Sequence, residues 1–233
     1  MNKSIFLSKN ILKSSLIATA LSISLSGCIV HVGGDHDIDW DDESGSSVSS
    51  VFGEASVSAG KSVGDVSSVN GGVELKDDVS AKQVDSVNGD VDIGNRVSVH
   101  SIDVVNGDID IGEFFKAESN IESVNGDISI HKNGSISGSV ITVNGDIDLK
   151  QTQINHDVQT TNGSLTLTAG TVVMGNVVYE RANQRYWSRD NLPTLRIDKG
   201  STVNGSIILY RPVNLELENS DLASKVEERF NQQ

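Results

Sequence analysis

Aromatic side chains are scarce in this chain: 5 Phe, 3 Tyr and 2 Trp make up 4% of 233 residues. A single thick core in a chain of that size ordinarily recruits more large rings, so the deficit argues for thin, uniform layers. Proline is rarer still, at 2 residues, whereas glycine reaches 22. The one cysteine, Cys28, excludes any disulfide within the chain. No Ser-His-Asp set, phosphate-cradling loop or Cys/His cluster with metal-ligand spacing occurs, so the usual signatures of nucleophilic catalysis, nucleotide binding and structural zinc are missing. Basic residues are few, 18 against 32 acidic, for a net charge of −14. Such a surface repels nucleic acid and anionic lipid.

The longest apolar run near the start is also short. Lys3, Lys9 and Lys13 precede or flank it, and Leu16 to Leu25 cannot span a bilayer. It ends in Leu25-Ser26-Gly27-Cys28, which resembles the lipobox of bacterial lipoproteins. The resemblance implies that residues 1–27 are a signal peptide and that Cys28 becomes an acylated N-terminus, palmitate being one such acyl group. Ile29, in place of Asp, is similar to the sorting signal of Gram-negative lipoproteins bound for the outer membrane. The expected location is therefore the cell envelope, at the outer membrane. Loss of residues 1–27 leaves 15 basic and 32 acidic residues, a net charge of −17. The membrane is then a partner through the lipid and not through charge, and nucleic acid is not expected as a partner. Residues 28–50 read as an acidic, Ser/Gly-rich tether with no usable apolar period. His31, Asp35, His36, Asp37, Asp39, Asp41 and Asp42 have the chemistry to take a divalent cation, although a solvated linker is the commoner meaning of such a run.

What the chain has in quantity is one phrase. It reads SVNGGVEL at 68–75, SVNGDVDI at 86–93, VVNGDIDI at 104–111, SVNGDISI at 123–130, TVNGDIDL at 142–149 and TTNGSLTL at 160–167, with a later TVNGSIIL at 202–209. The asparagines are Asn70, Asn88, Asn106, Asn125, Asn144, Asn162 and Asn204, and the first six are spaced by 18, 18, 19, 19 and 18 residues. That is a structural period. Apolar columns recur four residues before the Asn (Val84, Ile102, Ile121, Val140, Val158) and just before it (Val87, Val105, Val124, Val143, then Thr161). They recur again three after it (Val91, Ile109, Ile128, Ile147, Leu165) and five after it (Ile93, Ile111, Ile130, Leu149, Leu167). Asp, Ser or Thr alternates between the last two columns, the pattern of a half-buried strand.

Asn-Gly also marks two-residue hairpins, which would need matched strands on both sides and a second turn signal between copies. The upstream strand is short and the second turn carries no fixed chemistry, so a coil fits better. Asn-Gly tolerates left-handed backbone and can turn a corner without closing a hairpin. The fold expected is all-β: a single-stranded right-handed β-helix, or β-solenoid, with 18–19-residue three-sided rungs and like residues stacked about 4.8 Å apart. A propeller blade needs about 40 residues. The aliphatic columns should fill the interior, and the asparagines should form a hydrogen-bonded ladder. The solenoid is expected over 51–211 with an insertion at 180–199, and a cap over 212–233 in which Ser220 to Phe230 forms a short amphipathic helix with Ser220 as its N-cap.

The repeated VNGD-I-x-I phrase resembles the bacterial β-strand-repeat family of adhesin type, over about residues 50–210. The stretches GTVVMGNVVY at 170–179 and GSTVNGSIIL at 200–209 resemble the repeats of bactofilins, polymer-forming β-helical proteins. Bactofilins are generally cytoskeletal, and an export signal departs from that pattern.

Two groups of residues bear on function. Asp90, Asp108, Asp127 and Asp146 share one outward column, and Asp92, Asp110 and Asp148 another, which Ser129 interrupts. Carboxylates about 5 Å apart in water repel by about 0.8 kcal/mol before screening. Calcium is one candidate to offset that repulsion, since hard cations prefer carboxylate oxygen, but the Gly-Gly-x-Gly-x-Asp pattern of calcium β-rolls is missing, and a charged solvent face is the commoner meaning. The insertion holds Arg181, Arg185, Tyr186, Trp187, Arg189 and Arg196, four of the seven arginines. That is either the composition of a partner-binding surface or a flap whose arginines neutralise the Asp face. His100 and His156 fall three rungs apart, about 14 Å, too far to share a metal ion. The function expected is a non-enzymatic, lipid-anchored envelope scaffold of adhesin type, binding itself or a surface ligand without a cofactor. The alternatives are a carbohydrate-active β-helix enzyme and a polymer-forming envelope protein.

Overall fold

The computed structural model describes residues 29–32, 45–182 and 192–230. Cys28 lies outside these, as do Arg185, Tyr186, Trp187 and Arg189. Strands alternate with corners along the described chain and assemble into three sheets of 11, 9 and 6 strands. These are the three sides of a parallel solenoid, called here the broad, acidic and narrow faces. In one central rung, Ser101–Asn106 lies on the broad face, Ile109–Ile111 on the acidic face and Lys116–Ala117 on the narrow face. Ile121–Asn125 then returns to the broad face one layer on. Asn88, Asn106 and Asn125 are register partners, as are Val91, Ile109 and Ile128. The two arms flanking each Asn-Gly therefore belong to different sheets, and the hairpin alternative is excluded.

Three of the four aliphatic columns point inward as expected, including Ile102, Ile109, Ile111, Ile121, Ile128 and Ile147, all buried. The valine before each Asn does not. Val87, Val105 and Val124 are half-exposed on the outer side of the broad face, and Val143 is 38% exposed. Side chains alternate along a strand, so once Val84 or Ile102 points in, the next inward residue is the one two before the Asn. That position holds Ser68, Ser86, Val104, Ser123, Thr142 and Thr160, all buried. A buried hydroxyl needs a partner, and a glycine carbonyl supplies one. Ser86 Oγ donates to Gly89 O at 2.7 Å and Thr142 Oγ1 to Gly126 O at 3.2 Å.

The glycine of each Asn-Gly is required by stacking. A Cβ on Gly107 would stand 2.2 Å from Gly89 O, and one on Gly145 2.0 Å from Gly126 O. The second corner places one residue per rung in the left-handed region: Asp78, Arg96, Phe114, Asn133, Gln151 and Ala169, with φ between 48° and 62°. Beside it, Phe115 is fully buried. The neighbouring register pairs, Lys116 with Ser135 and Ala117 with Ile136, set Gly134 at the same position in the next rung.

The ends differ from expectation. Ile29–Val32 is already a strand, paired in parallel with Val48–Phe52, so solenoid strands occupy both ends of the expected tether. At the far end, Ser220–Lys225 is a six-residue 3-10 helix capped by Asn219, whose side chain accepts from Asp221 N–H, and not an amphipathic α-helix capped by Ser220. Only Leu222 of that turn is buried, too little apolar surface to hold a longer helix down. Val226–Glu228 instead closes the broad face as its last strand, and Asn214–Leu217 ends the acidic face. Lys225 Nζ donates to Val203 O and Asn204 O, occupying acceptors at the open edge of the narrow face. The expected insertion is also shorter, because Thr194–Ile197 is a regular strand of the acidic face.

Candidate functional site

The asparagine ladder is continuous from Asn70 to Asn162. Each Nδ2 donates to the Oδ1 one rung earlier, at 3.2 Å from Asn88 to Asn70 and 2.8 Å from Asn162 to Asn144. Asn204 is not part of it. In that copy of the phrase Thr202–Val203 stacks on Val172–Val173 of the narrow face, and Ile207–Leu209 on Val177–Tyr179 of the broad face. The phrase has slipped to another corner, where Asn204 Nδ2 donates to Met174 Sδ at 3.1 Å. The alternation Val-Asn-Gly-x-Ile suits either corner, because both stack a glycine on a carbonyl; a Cβ on Gly205 would meet Gly175 O at 2.4 Å.

Arg211 ends the ladder. It is 6% exposed, and its Nη1 donates to Asn162 Oδ1 and Thr161 O, both at 2.7 Å. Tyr179, also buried, stitches the strands beside the insertion: its hydroxyl accepts from Leu165 N–H at 3.1 Å and donates to Thr194 O at 3.0 Å. The sequence phrase gave no hint of either residue.

The Asp column beside the ladder is tied to the backbone. Asp90, Asp108, Asp127 and Asp146 each accept the N–H one rung on, at 2.9, 2.8, 2.7 and 2.7 Å. Among the described residues no group of three or more His, Cys, Asp or Glu is placed to hold a metal ion. His100 lies 3.2 Å from Glu118, and His156 Nδ1 lies 2.7 Å from Ser137 O.

An open groove of about 700 Å³ crosses the acidic face at the second corner. Glu74, Asp92, Asp110, Arg96, His131 and Phe114 line it. Its chemistry is mixed. Phe114 exposes 52% of its surface from a left-handed position, 59° in φ. His131 Nε2 lies 3.2 Å from Asp110 Oδ1, and Arg96 holds both Asp78 oxygens at 2.7 Å. The Arg96 guanidinium keeps the Asp78 carboxyl below its ordinary range. Burial pushes Asp92 upward, with Asp110, Asp90 and Glu74 adding repulsion. The groove is open to solvent and can bind through hydrogen bonds and a ring face.

On the broad face, Asp85 and Asp103 are each pushed up to about 6, chiefly by burial, with Asp65 acting on Asp85, and Asp85 and Glu122 on Asp103. Gln83 Nε2 donates to Asp85 at 3.1 Å. These carboxylates share a column that runs between the outward valines and a polar row. Sequence reading passed over them because they lie outside the Asn-Gly phrase.

The arginine cluster of the insertion is described only at its stem. Arg181 lies over the Tyr210 ring at 5.9 Å, and Arg229 lies 5.8 Å from the same centroid while donating to Tyr210 Oη at 3.0 Å. Arg196 sits apart on the acidic face, 3.9 Å from Glu218.

No family model, curated protein or solved structure matches the chain. Among the described residues no helix is long and apolar enough to cross a membrane.

Proposed function

We propose that the protein is a lipid-anchored scaffold of the cell envelope, of adhesin type, which acts by binding and not by catalysis. One observation carries this reading: the asparagine column and the Asp90 column beside it are engaged in holding rungs together, and the acidic face is otherwise open surface. The asparagines bond to one another, the Asp90 column bonds to backbone N–H groups, and the Phe114 groove is broad and open. The Cys28 lipobox and the resemblance to β-strand-repeat adhesins point the same way. Cys28 carries the acyl group and holds the chain at the outer membrane. Arg181, Arg185, Tyr186, Trp187 and Arg189 form one partner-binding surface and the Phe114 groove a second. Crosslinking pull-down from intact envelopes tests this. Alanine at Arg185, Tyr186 and Trp187 together should deplete the captured partner, and unchanged capture removes the insertion as its site. Alanine at Cys28 should release the protein from the membrane fraction.

A second reading, an enzyme acting on carbohydrate, is favoured by one feature: Asp92, Asp110 and His131 line a single groove. Turnover of an envelope glycan by purified protein, abolished by Asp110→Asn, would reverse the ranking.

A further inference from the structure

We infer that the N-terminal end of the solenoid stands directly on the lipid headgroup layer, with the rungs stacked away from the bilayer. This rests on the acylation of Cys28 proposed above. The decisive observation is the strand that follows that cysteine. Ile29 pairs with Val48, Val30 with Ser49, His31 with Ser50 and Val32 with Phe52. One peptide bond separates Cys28 from Ile29, so their Cα atoms are about 3.8 Å apart. A free tether over 28–50 would have let the body range up to about 75 Å from its anchor. With the first strand docked, that freedom is gone.

The docked strand also fixes which surface meets the lipid. Ile29–Val32 is the terminal strand of the 11-stranded broad face, so the acyl chains enter at the end of the stack and not along a side. Phe52, the register partner of Val32, leaves 57% of its surface exposed at this same end. An apolar ring at the membrane boundary gains burial that it lacks in water. Net charge cannot supply the contact, because the chain from Cys28 onward carries −17. The arrangement also settles an edge problem. A terminal parallel strand presents unpaired N–H and C=O groups to any passing chain, and a bilayer pressed against that end keeps other chains away.

The geometry has a consequence for presentation. Eleven strands about 4.8 Å apart place the last one about 48 Å from the first. The Arg181–Tyr210–Arg229 cluster, carried by the last rungs, is thereby held well clear of the headgroups.

The test uses the acylated protein in phosphatidylcholine vesicles, where Cys28 offers no free thiol. Phe52→Cys and Leu215→Cys are each labelled with an environment-sensitive fluorophore, and a headgroup spin-labelled lipid is added as quencher. Quenching should be several-fold stronger at position 52 than at 215. Equal quenching at both positions would mean a solenoid lying on its side, and quenching at neither, in protein that still floats with the vesicles, would mean a body held off on a linker; either result overturns the inference. Failure to float, with no diacylglyceryl mass on Cys28, would overturn the anchoring itself and so is distinguishable. Neutron reflectivity of the unsubstituted protein on a supported bilayer gives an independent reading: a layer of about 50 Å if upright and about 20 Å if flat.

Discussion

Adding one methyl group at Gly107 should do more damage than deleting the whole side-chain amide of its neighbour Asn106. The new Cβ would stand 2.2 Å from Gly89 O, 2.6 Å from Gly89 C and 3.1 Å from Asp90 N. A carbon and a carbonyl oxygen ordinarily approach to about 3.3 Å, so the two rungs would have to part by about 1 Å. Their separation is fixed by backbone hydrogen bonds on both sides of the corner, Gly89 N–H to Asn106 O at 2.9 Å and Val91 N–H to Asp108 O at 2.8 Å. Stretched by an ångström, neither would remain a hydrogen bond. Two lost backbone bonds at about 1 kcal/mol each, with about 1–3 kcal/mol of overpacking, give about 3–5 kcal/mol for Gly107→Ala. Asn106→Ala removes only two exposed amide–amide bonds, to Asn88 at 3.0 Å and from Asn125 at 2.9 Å. Its cost is about 1–2 kcal/mol. Gly200→Ala is the control, since its nearest contact would be an ordinary 3.5 Å from Gly170 N; it should fall within about 0.5 kcal/mol of the parent.

Urea unfolding followed by far-ultraviolet circular dichroism measures all three. Stacked repeats often lose two-state behaviour, so hydrogen exchange across Gly89 to Asp127 should be read alongside, and protection there should fall first. A Gly107→Ala midpoint no lower than that of Asn106→Ala would mean that the corner is not close-packed and that glycine is present for some other reason.

The ladder cap gives a second prediction: Arg211→Met leaves Asn162 Oδ1 and Thr161 O without their 2.7 Å donor and should cost about 2–4 kcal/mol, with Arg211→Lys recovering part of it, since both bonds leave the single nitrogen Nη1 and an ammonium has donors for both on a shorter stem. An unchanged urea midpoint for Arg211→Met would remove the cap from the account of stability. For Asp85, raised to about 6 by burial, the folded state holds its proton more tightly than the unfolded chain. Stability from this group is therefore complete below the unfolded value of about 3.9 and lost as pH rises through 6. Asp85→Asn should accordingly be more stable than the parent at pH 7.5, by about 1–2 kcal/mol after solvent screening, and equal to it at pH 3.5; midpoints offset equally at both pH values would contradict the burial argument. Sedimentation of the acylated protein in detergent should give one copy per micelle, and a ladder of higher species would instead favour a polymer.

The period and the parallel stacking were legible because each rung repeats the same demand on its side chains. Val84, Ile102, Ile121 and Val140 are buried at one address, and a reader who aligns the asparagines finds them at once. The direction of Val87 and Val105 was harder. A valine looks like core, and only strict alternation from Ile102 reveals that Ser123 and Thr142 are inside in that column while the valines face out. The second corner left no trace at all. Its requirement is a left-handed backbone, met by Asp78, Arg96, Phe114, Asn133, Gln151 and Ala169 alike, with no side chain that the corner itself selects. Asn204 was misplaced because its phrase reads the same at two corners. The Arg211 contact spans 49 residues, and only counting strands past the insertion would have put it over Asn162.

The two ends of this solenoid are chemically unlike, and that bears on whether copies can stack. The amide ladder is polar: every Nδ2 points toward the first rung and every Oδ1 toward the last. The ladder itself stops at Asn162, under Arg211 and three broad-face strands short of the top. A second copy added at the top would have to pair with Val226–Glu228, whose Glu227 is bound to Ser206 and Arg229, while Lys225 occupies the carbonyls of the narrow face. Charges and filled acceptors at a sheet edge are the ordinary means by which strands are kept from pairing further. Head-to-tail growth is a heterologous contact that needs both ends open. On the reading proposed here one end is closed by its own side chains and the other by a bilayer, so a β-solenoid with an amyloid-like ladder remains a single spike.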